Sequence, residues 1–416
     1  MNKNSFQIPQ PKKIKVASIT PFWRFRDYFD FFYNILFKNS EQLKLNISQS
    51  IKNIHNIDFD FSYFFDSGKS AIYFSLLALG LSKGDKVIIP SFTCRAVLFA
   101  LFEAKVEPIL MDIDDDYNLD LLALSALNDL EGIKAIILPN MYGKINSNYK
   151  LINKIKRKGI IVIEDNATSF GSTYSSEIIS DAVIYSFNTG KMINGSGGGI
   201  VFLRNKVNSS LLRQVNDSQM SKVLIRFIRN LITLRYRKKL SPIINLIRDK
   251  NKNQLTLDDY YSVKDQNINK VQKYFNCKNV SLFNLSLVDS QLRSYEKVKF
   301  LYIDLFQKYN SKLELSSRLN HNEMPNYFVL EIDKKINRYA LGSFLSSKGI
   351  EVFWSYFPIH KIQIYKDIKF IGSLAATNKK WSNFLYMPFN VFVKETDVEL
   401  VCNLYKNFVS KCEHDK

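Results

Sequence analysis

GIIVIED, residues 159–165, is the stretch on which the fold turns. Isoleucine and valine fill its middle and two carboxylates close it. It is short and β-branched, so it reads as a strand buried on both faces. Similar runs lie on either side: VIIPS from Val87, PILMDI from Pro108, AIILPN from Ala135, DAVIYSF from Asp181 and GGIVFL from Gly198. From VIIPS to GIIVIED they alternate with helix-length segments such as RAVLFALFEA and YKLINKIKRK. That alternation predicts βαβ units, a parallel sheet covered on both faces, and a ligand at the strand C-terminal ends. Only NTGKMINGSG separates the last two runs. It is too short for a crossover helix, so these two are predicted to pair antiparallel or through a loop. The expected class is α/β, a mostly parallel sheet with one antiparallel strand in a large domain.

Beyond Asn205 the pattern changes. SKVLIRFIRNLITLRYRKKLSPIINLIRDK, residues 221–250, mixes Lys and Arg with Ile, Leu and Phe inside a basic amphipathic insert of about 205–272. SLFNLSLVDSQLRSYEKVKFLYIDLFQKY, from Ser281, reads as one long helix. NYFVLEID and IEVFWSYFP then read as strands, and KKINRYALGSFLSSKG and ETDVELVCNLYKNFVSK as helices. The expected division is an N-terminal arm 1–58, a large domain 59–285 and a smaller α/β C-terminal domain 286–416.

The chain has 416 residues, 46% of them hydrophobic, which is enough for a sizeable core. No apolar run has spanning length, and no apolar segment or cleavage site follows the basic MNKNSFQIPQPKKIKV, so secretion is not expected. Cys94, Cys277, Cys402 and Cys412 lack metal-ligand spacing, which argues against a zinc site and for reduced thiols in a cytoplasm. The formal charge of +19 favours a polyanionic partner, although a Lys-, Asn- and Ile-rich composition alone produces the same excess.

DSGKSA, residues 66–71, ends like a phosphate-binding P-loop, but Tyr63 stands where that loop needs a second glycine. A helix N-terminus at Gly68, with Lys69 and Ser70, still attracts phosphate through its free N–H groups. Asp165 closes GIIVIED, and Lys191 follows DAVIYSF within a glycine-rich turn. Taken singly, these residues read as a cap, a solvated lysine and a turn. Together they form the set that pyridoxal phosphate (PLP) requires: an amine for its aldehyde, an acid for its ring nitrogen and a phosphate anchor.

FDSGKSAIYFSLLALGLSKGDKVIIPSFTC resembles the opening of the DegT/StrS family of PLP-dependent nucleotide-sugar aminotransferases. The likeness continues through AKVEPILMDIDDDYNLD, KAIILPNMYGK, VIEDNATSFGSTY and DAVIYSFNTGKMINGSGGGIVF, from Phe65 to Phe202. It resumes more loosely at SLVDSQLRSYEKV, SSKGIEVFWSYFPIHK and LYMPFN. The resemblance implies PLP fold type I and a homodimer in which two chains complete each site. It gives Lys191 the covalent link to the cofactor and the later proton transfers, and Asp165 the pyridine nitrogen. Gly68, Lys69 and Ser70 match the phosphate turn, and Ser186 a serine that reaches the phosphate. Tyr142 and His360 fall where such enzymes line the sugar-nucleotide cleft.

This chain departs from the family at several of these positions. Cys94 replaces an aromatic that stacks on the cofactor ring, Thr168 a Gln or His that covers it, and Lys69 a small hydroxyl residue. Asn276 and Asn279 are the nearby candidates for an asparagine that crosses to the partner's phosphate. Related dehydratases carry histidine at the position of Lys191. The implied activity is therefore amine transfer, with L-glutamate as donor, to a keto-sugar on a nucleotide for surface polysaccharide. The alternatives are a PLP sugar dehydratase and an inactive membrane-associated member of the fold. Residues 221–250 read either as helices packed with their arginines in solvent, or as a surface for anionic lipid beside the aromatic ITPFWRFRDYFDFFYNILF. The expected location is cytoplasmic, with a peripheral place at the inner membrane surface under the second reading. Nucleic acid is not an expected partner.

Overall fold

The structure, a computed structural model, describes residues 11–240 and 277–414, apart from 22, 24, 128–129, 147, 175–177, 213–214, 219, 233–235, 237, 317–318 and 355. The first ten residues, the insert from 241 to 272 and Asn276 lie outside the described residues.

A seven-stranded sheet is built from β1 (Phe61–Phe65), β2 (Lys86–Pro90), β3 (Glu107–Met111), β4 (Ile133–Pro139), β5 (Ile161–Asp165), β6 (Ala182–Ser186) and β7 (Gly199–Leu203), in the order β1-β7-β6-β5-β4-β2-β3. Only β7 runs against its neighbours, antiparallel to both β1 and β6. The mostly parallel sheet with one antiparallel strand is thus present, enlarged by β1, whose FSYFF carries no aliphatic strand signal. Side chains alternate between two buried faces, as the strand period of two requires. Val183, Tyr185, Ile200 and Phe202 join one core cluster, and Ala182, Ile184, Val201 and Leu203 another on the opposite face.

Helices α1 (Phe25–Phe37) and α2 (Ser40–His55) precede the sheet. Within it and after it come α3 (Gly68–Ala78), α4 (Arg95–Glu103), α5 (Leu121–Ala126), α6 (Tyr149–Lys156), α7 (Ser209–Leu212) and α8 (Met220–Asn230). Helix α3 begins where Ser67, in extended backbone, accepts the Ser70 N–H on its hydroxyl. It stops before Gly80, whose φ of +79° ends the turn.

The run from Ser281 is two helices, α9 (Leu282–Leu292) and α10 (Tyr295–Leu313), broken at Arg293 and Ser294. Helix α9 is buried from Phe283 to Leu292 and packs on α1 and α2, and position 285/286 falls inside it. The smaller lobe contains α10, β8 (Phe328–Glu331), α11 (Arg338–Ser347), α12 (Ala375–Ser382), β9 (Phe384–Met387) and α13 (Glu395–His414). Its two strands pair antiparallel. IEVFWSYFP forms no strand, because its backbone meets β9 only through the bridge of Phe353 with Tyr386. The N-terminal arm is tied to this lobe: Lys15 N–H donates to the Gly349 carbonyl at 2.8 Å, and Asn390 Nδ2 donates to the Ala17 carbonyl at 2.8 Å. Among the described residues no helix is long and apolar enough to cross a membrane.

Candidate active site

The C-terminal ends of β5 and β6 and the start of α3 open into one cavity of about 870 Å³. Gly68, Lys69, Ser70, Cys94, Asp165, Thr168, Ser186 and Lys191 all line it. The turn into α3 meets the end of β6 at van der Waals distance: a Cβ on Gly68 would lie 2.7 Å from Ser186 Cβ and 2.9 Å from its Oγ. Only glycine permits that approach. Asp66, which the sequence reading passed over, lines the cavity as well. Its Oδ1 accepts the Ser70 hydroxyl at 2.6 Å and the Ser67 hydroxyl at 3.3 Å. Burial raises the Asp66 pKa; those two bonds and the charges of Arg226 and Lys69 oppose the rise. Burial lowers the Lys69 ammonium, opposed by the charges of Asp66 and Glu103.

Asp165 sits at the last residue of β5 and is 7% exposed. Its Oδ1 accepts the Ala167 N–H at 3.0 Å. Burial raises its pKa, and the Ala167 bond and the nearby Lys191 charge oppose that. Lys191 lies in a tight turn after β6, its N–H donating to the Asn188 carbonyl at 3.1 Å. Helix α9 clamps the backbone just beyond it. The Asn194 N–H donates to Gln291 Oε1 at 3.0 Å, Gln291 Nε2 donates to the Asn194 carbonyl, and Asn284 Nδ2 donates to the Gly195 carbonyl at 2.8 Å. Trp23 Nε1 also donates to the Asn194 carbonyl, at 3.0 Å.

Cys94 caps the start of α4 without a side-chain hydrogen bond, and burial pushes its thiol up. Thr168 Oγ1 donates to the Asn140 carbonyl at 2.9 Å. The aromatic wall that Cys94 does not supply comes from the smaller lobe, as Tyr327, Phe353, Tyr356 and Tyr386 line the same cavity. Sequence signals for them existed in NYFVLEID, IEVFWSYFP and LYMPFN, but nothing local showed which face they present.

Two expected cleft residues, Tyr142 and His360, do not line the main cavity. Tyr142 is buried, its hydroxyl hydrogen-bonded to that of Tyr386, and lines a second cavity of about 430 Å³ whose wall it shares with Tyr117 and Tyr327. His360 is held by structure on both ring nitrogens, Nδ1 to Ser91 Oγ at 2.7 Å and Nε2 to Asn378 Oδ1 at 3.2 Å, and is not among the residues lining the main cavity. Asn279 Nδ2 donates to Asp217 Oδ1 at 2.9 Å within its own chain. The packed reading of residues 221–250 agrees with α8 as far as residues are described: its apolar face is docked and Arg229 is exposed, while Arg226 is half-buried. Val223 and Phe227 of α8 are buried beside Trp23, Phe31 and Phe283, which leaves both arginines at the edge of the main cavity.

The DegT/DnrJ/EryC1/StrS aminotransferase family matches over residues 57–237. A GDP-perosamine synthase of Caulobacter vibrioides is 33% identical over 140 residues, 33% of this chain and 38% of that protein. A UDP-2-acetamido-2-deoxy-3-oxo-D-glucuronate aminotransferase of Pseudomonas aeruginosa is 35% identical over 155 residues, 36% of this chain and 43% of that protein. The chain thus spans less than half the length of these curated relatives. Among solved structures, the Helicobacter pylori aminotransferase PseC, involved in the biosynthesis of pseudoaminic acid, superposes with a TM-score of 0.70 at 16% identity, over 95% of this chain and 99% of that one. An E. coli GDP-4-keto-6-deoxy-D-mannose-3-dehydratase with bound hydrated PLP gives 0.69 at 17% identity, over 94% of this chain and 100% of that one. At such identities the superpositions speak for the fold alone. The sheet, the turn at Gly68, Asp165 and Lys191 all lie within residues 57–237, the part of the chain that matches the DegT/DnrJ/EryC1/StrS aminotransferase family.

Proposed function

We propose that the chain is a PLP-dependent aminotransferase that converts a nucleotide-linked keto-sugar to an aminosugar for surface polysaccharide, with L-glutamate as amino donor. One observation carries this reading: Asp165, Lys191, Ser186 and the turn at Gly68, distant in sequence, line a single cavity. The residues fit the cofactor. The glycine cradle against Ser186 leaves room for a phosphate at the N–H groups that open α3. Asp165 is a buried carboxylate whose raised pKa a cationic ring nitrogen would lower again. When bound, PLP supplies the electron sink for a carbanion at the substrate carbon.

The chain's own residues have distinct tasks. Lys191 would hold the cofactor through its amine, and its free amine would take a proton from the substrate carbon and return it. Asp165 keeps the ring nitrogen protonated. The α3 N-terminus and Ser186 anchor the phosphate, and Tyr327, Phe353, Tyr356 and Tyr386 exclude water. The presence of lysine at 191 favours amine transfer over the dehydratase reading.

The test is the visible spectrum of purified protein mixed with PLP. A Lys191-dependent absorbance band, bleached by L-glutamate with release of the oxoacid and absent in Lys191→Ala, is expected; an identical band in Lys191→Ala would refute the reading. We further propose a homodimer, supported by the apolar side chains that α1 leaves uncovered, and a division into an arm, a PLP-binding part that includes α9, and a smaller lobe that begins at α10.

A further inference from the structure

Helix α8 comes from the basic insert, yet its position is fixed from inside. Phe227 packs on Trp23 with ring centroids 5.1 Å apart and on Phe283 at 4.9 Å. Asn230 Nδ2, one turn on, donates to Ser196 Oγ at 2.9 Å. With that face docked, Arg226 and Arg229, three residues apart on one side of the helix, line the main cavity. The Arg226 guanidinium reaches the backbone beside the phosphate turn. A Cβ on Gly197 would come 3.1 Å from Arg226 Nη1 and 3.4 Å from the Asp66 carbonyl oxygen. The Gly198 N–H donates to that same carbonyl at 2.7 Å, so this backbone is stitched to the entry of α3. Lys69, Arg95, Lys191 and Arg229 are the other cations lining the cavity, and Asp66 and Asp165 are its carboxylates.

We propose that Arg226, supplied by the insert of the same chain, is a phosphate-binding residue of this cavity. The proposal rests on the PLP reading above. Phosphate can enter from two sources, the cofactor's monoester or the diphosphate of a nucleotide-linked sugar. A guanidinium suits either, because its planar fork matches two oxygens of one phosphate. The Asp66 carboxylate, bonded to the Ser67 and Ser70 hydroxyls, feels the Arg226 guanidinium as a nearby charge and so competes with an incoming anion for it.

The test titrates full-length protein with pyridoxal 5'-phosphate, with pyridoxal and with UDP, following intrinsic fluorescence. Arg226→Gln is expected to weaken pyridoxal phosphate or UDP by roughly ten- to a hundredfold, the effect of losing a charge-assisted hydrogen bond. Pyridoxal should bind unchanged, and Arg226→Lys should recover part of the loss. A loss confined to pyridoxal phosphate assigns Arg226 to the cofactor; one confined to UDP assigns it to the nucleotide. Unchanged affinity for both overturns the proposal, and so does an equal loss for pyridoxal, which marks a general distortion. The comparison is repeated in an Asp66→Asn background, where disappearance of the loss would mean that Arg226 only neutralises Asp66, again overturning it. Wild-type protein that binds no pyridoxal phosphate defeats the cofactor reading instead, and the UDP arm then decides Arg226 alone.

Discussion

Gly68 and Ser186 stand so close that a methyl group on the glycine would lie 2.7 Å from the serine Cβ. Both belong to rigid elements, the first turn of α3 and the last residue of β6, so neither yields cheaply. Gly68→Ala is therefore expected to weaken PLP binding more than tenfold and to destabilise the fold by about 1–3 kcal/mol, the usual cost of overpacking. Fluorescence titration with PLP and a thermal melt check the two parts. Wild-type affinity in Gly68→Ala would show that the phosphate lies elsewhere.

Gln291 links α9 to the backbone beyond Lys191 through both atoms of its amide. In Gln291→Leu the buried Asn194 N–H loses its partner, a change that typically costs about 1–3 kcal/mol. Trp23 still serves the Asn194 carbonyl. The expected outcome is a folded protein of lower melting temperature whose lysine-dependent absorbance forms more slowly on mixing with PLP. Stopped-flow absorbance tests this, and an unchanged rate would limit Gln291 to a packing role.

His55 is fully buried, with Nδ1–H donating to the Ser172 carbonyl at 2.8 Å and Nε2 accepting the Gly171 N–H at 3.3 Å. Burial lowers its pKa to about 3 from an ordinary 6.5. Below 6.5 the unfolded chain binds a proton that the folded chain refuses. Stability is therefore full above that pH and falls as the pH drops towards 3, by up to about 1.4 kcal/mol per pH unit. His55→Gln should lower stability at neutral pH but flatten its decline between about pH 6.5 and 5. Urea midpoints across that range decide the matter, and parallel slopes for the two proteins would remove His55 as the cause.

Helix α1 leaves Phe29 70%, Phe32 61%, Leu36 73% and Phe37 71% exposed, although its other face is docked on α9. Large apolar side chains gathered on one helix face mark an interface. If a second copy covers them, light scattering should give twice the chain mass of 48.4 kDa, and Phe32→Glu with Leu36→Glu should reduce it to one chain. A wild-type monomer that floats with anionic vesicles would instead assign the face to a membrane surface.

Strand positions were legible in the sequence because each core strand is a run of Val, Ile and Leu bounded by turn residues. Strand β1, FSYFF, escaped because it has no aliphatic side chain and its identity depends on pairing with β7, far along the chain. The break between α9 and α10 was hidden because Arg293 and Ser294 carry no glycine or proline signal. Asp165 and Lys191 could be picked out because each closes or follows a legible strand, and the turn at Gly68 because DSGKSA ends like a phosphate-binding loop. The placements of Tyr142 and His360 could not, since side-chain direction at a loop depends on partners such as Tyr386, Ser91 and Asn378. The inward turn of Arg226 was equally unreadable: amphipathic spacing reveals that α8 has a docked face, but not what its polar side will meet.

The reversed strand β7 has a consequence for biosynthesis of the protein itself. It lies between β1 and β6, so the strand that leads into the cradle at Gly68 gains its pairing partner only after Gly199–Leu203 have been made. A nascent chain stopped short of Gly199 has β1 at hand without the strand it pairs with, and only α3 to dock it on β6 and α4. Vitamin-derived ligand would then find no seat on the ribosome-bound intermediate, and capture must await a nearly finished large sheet.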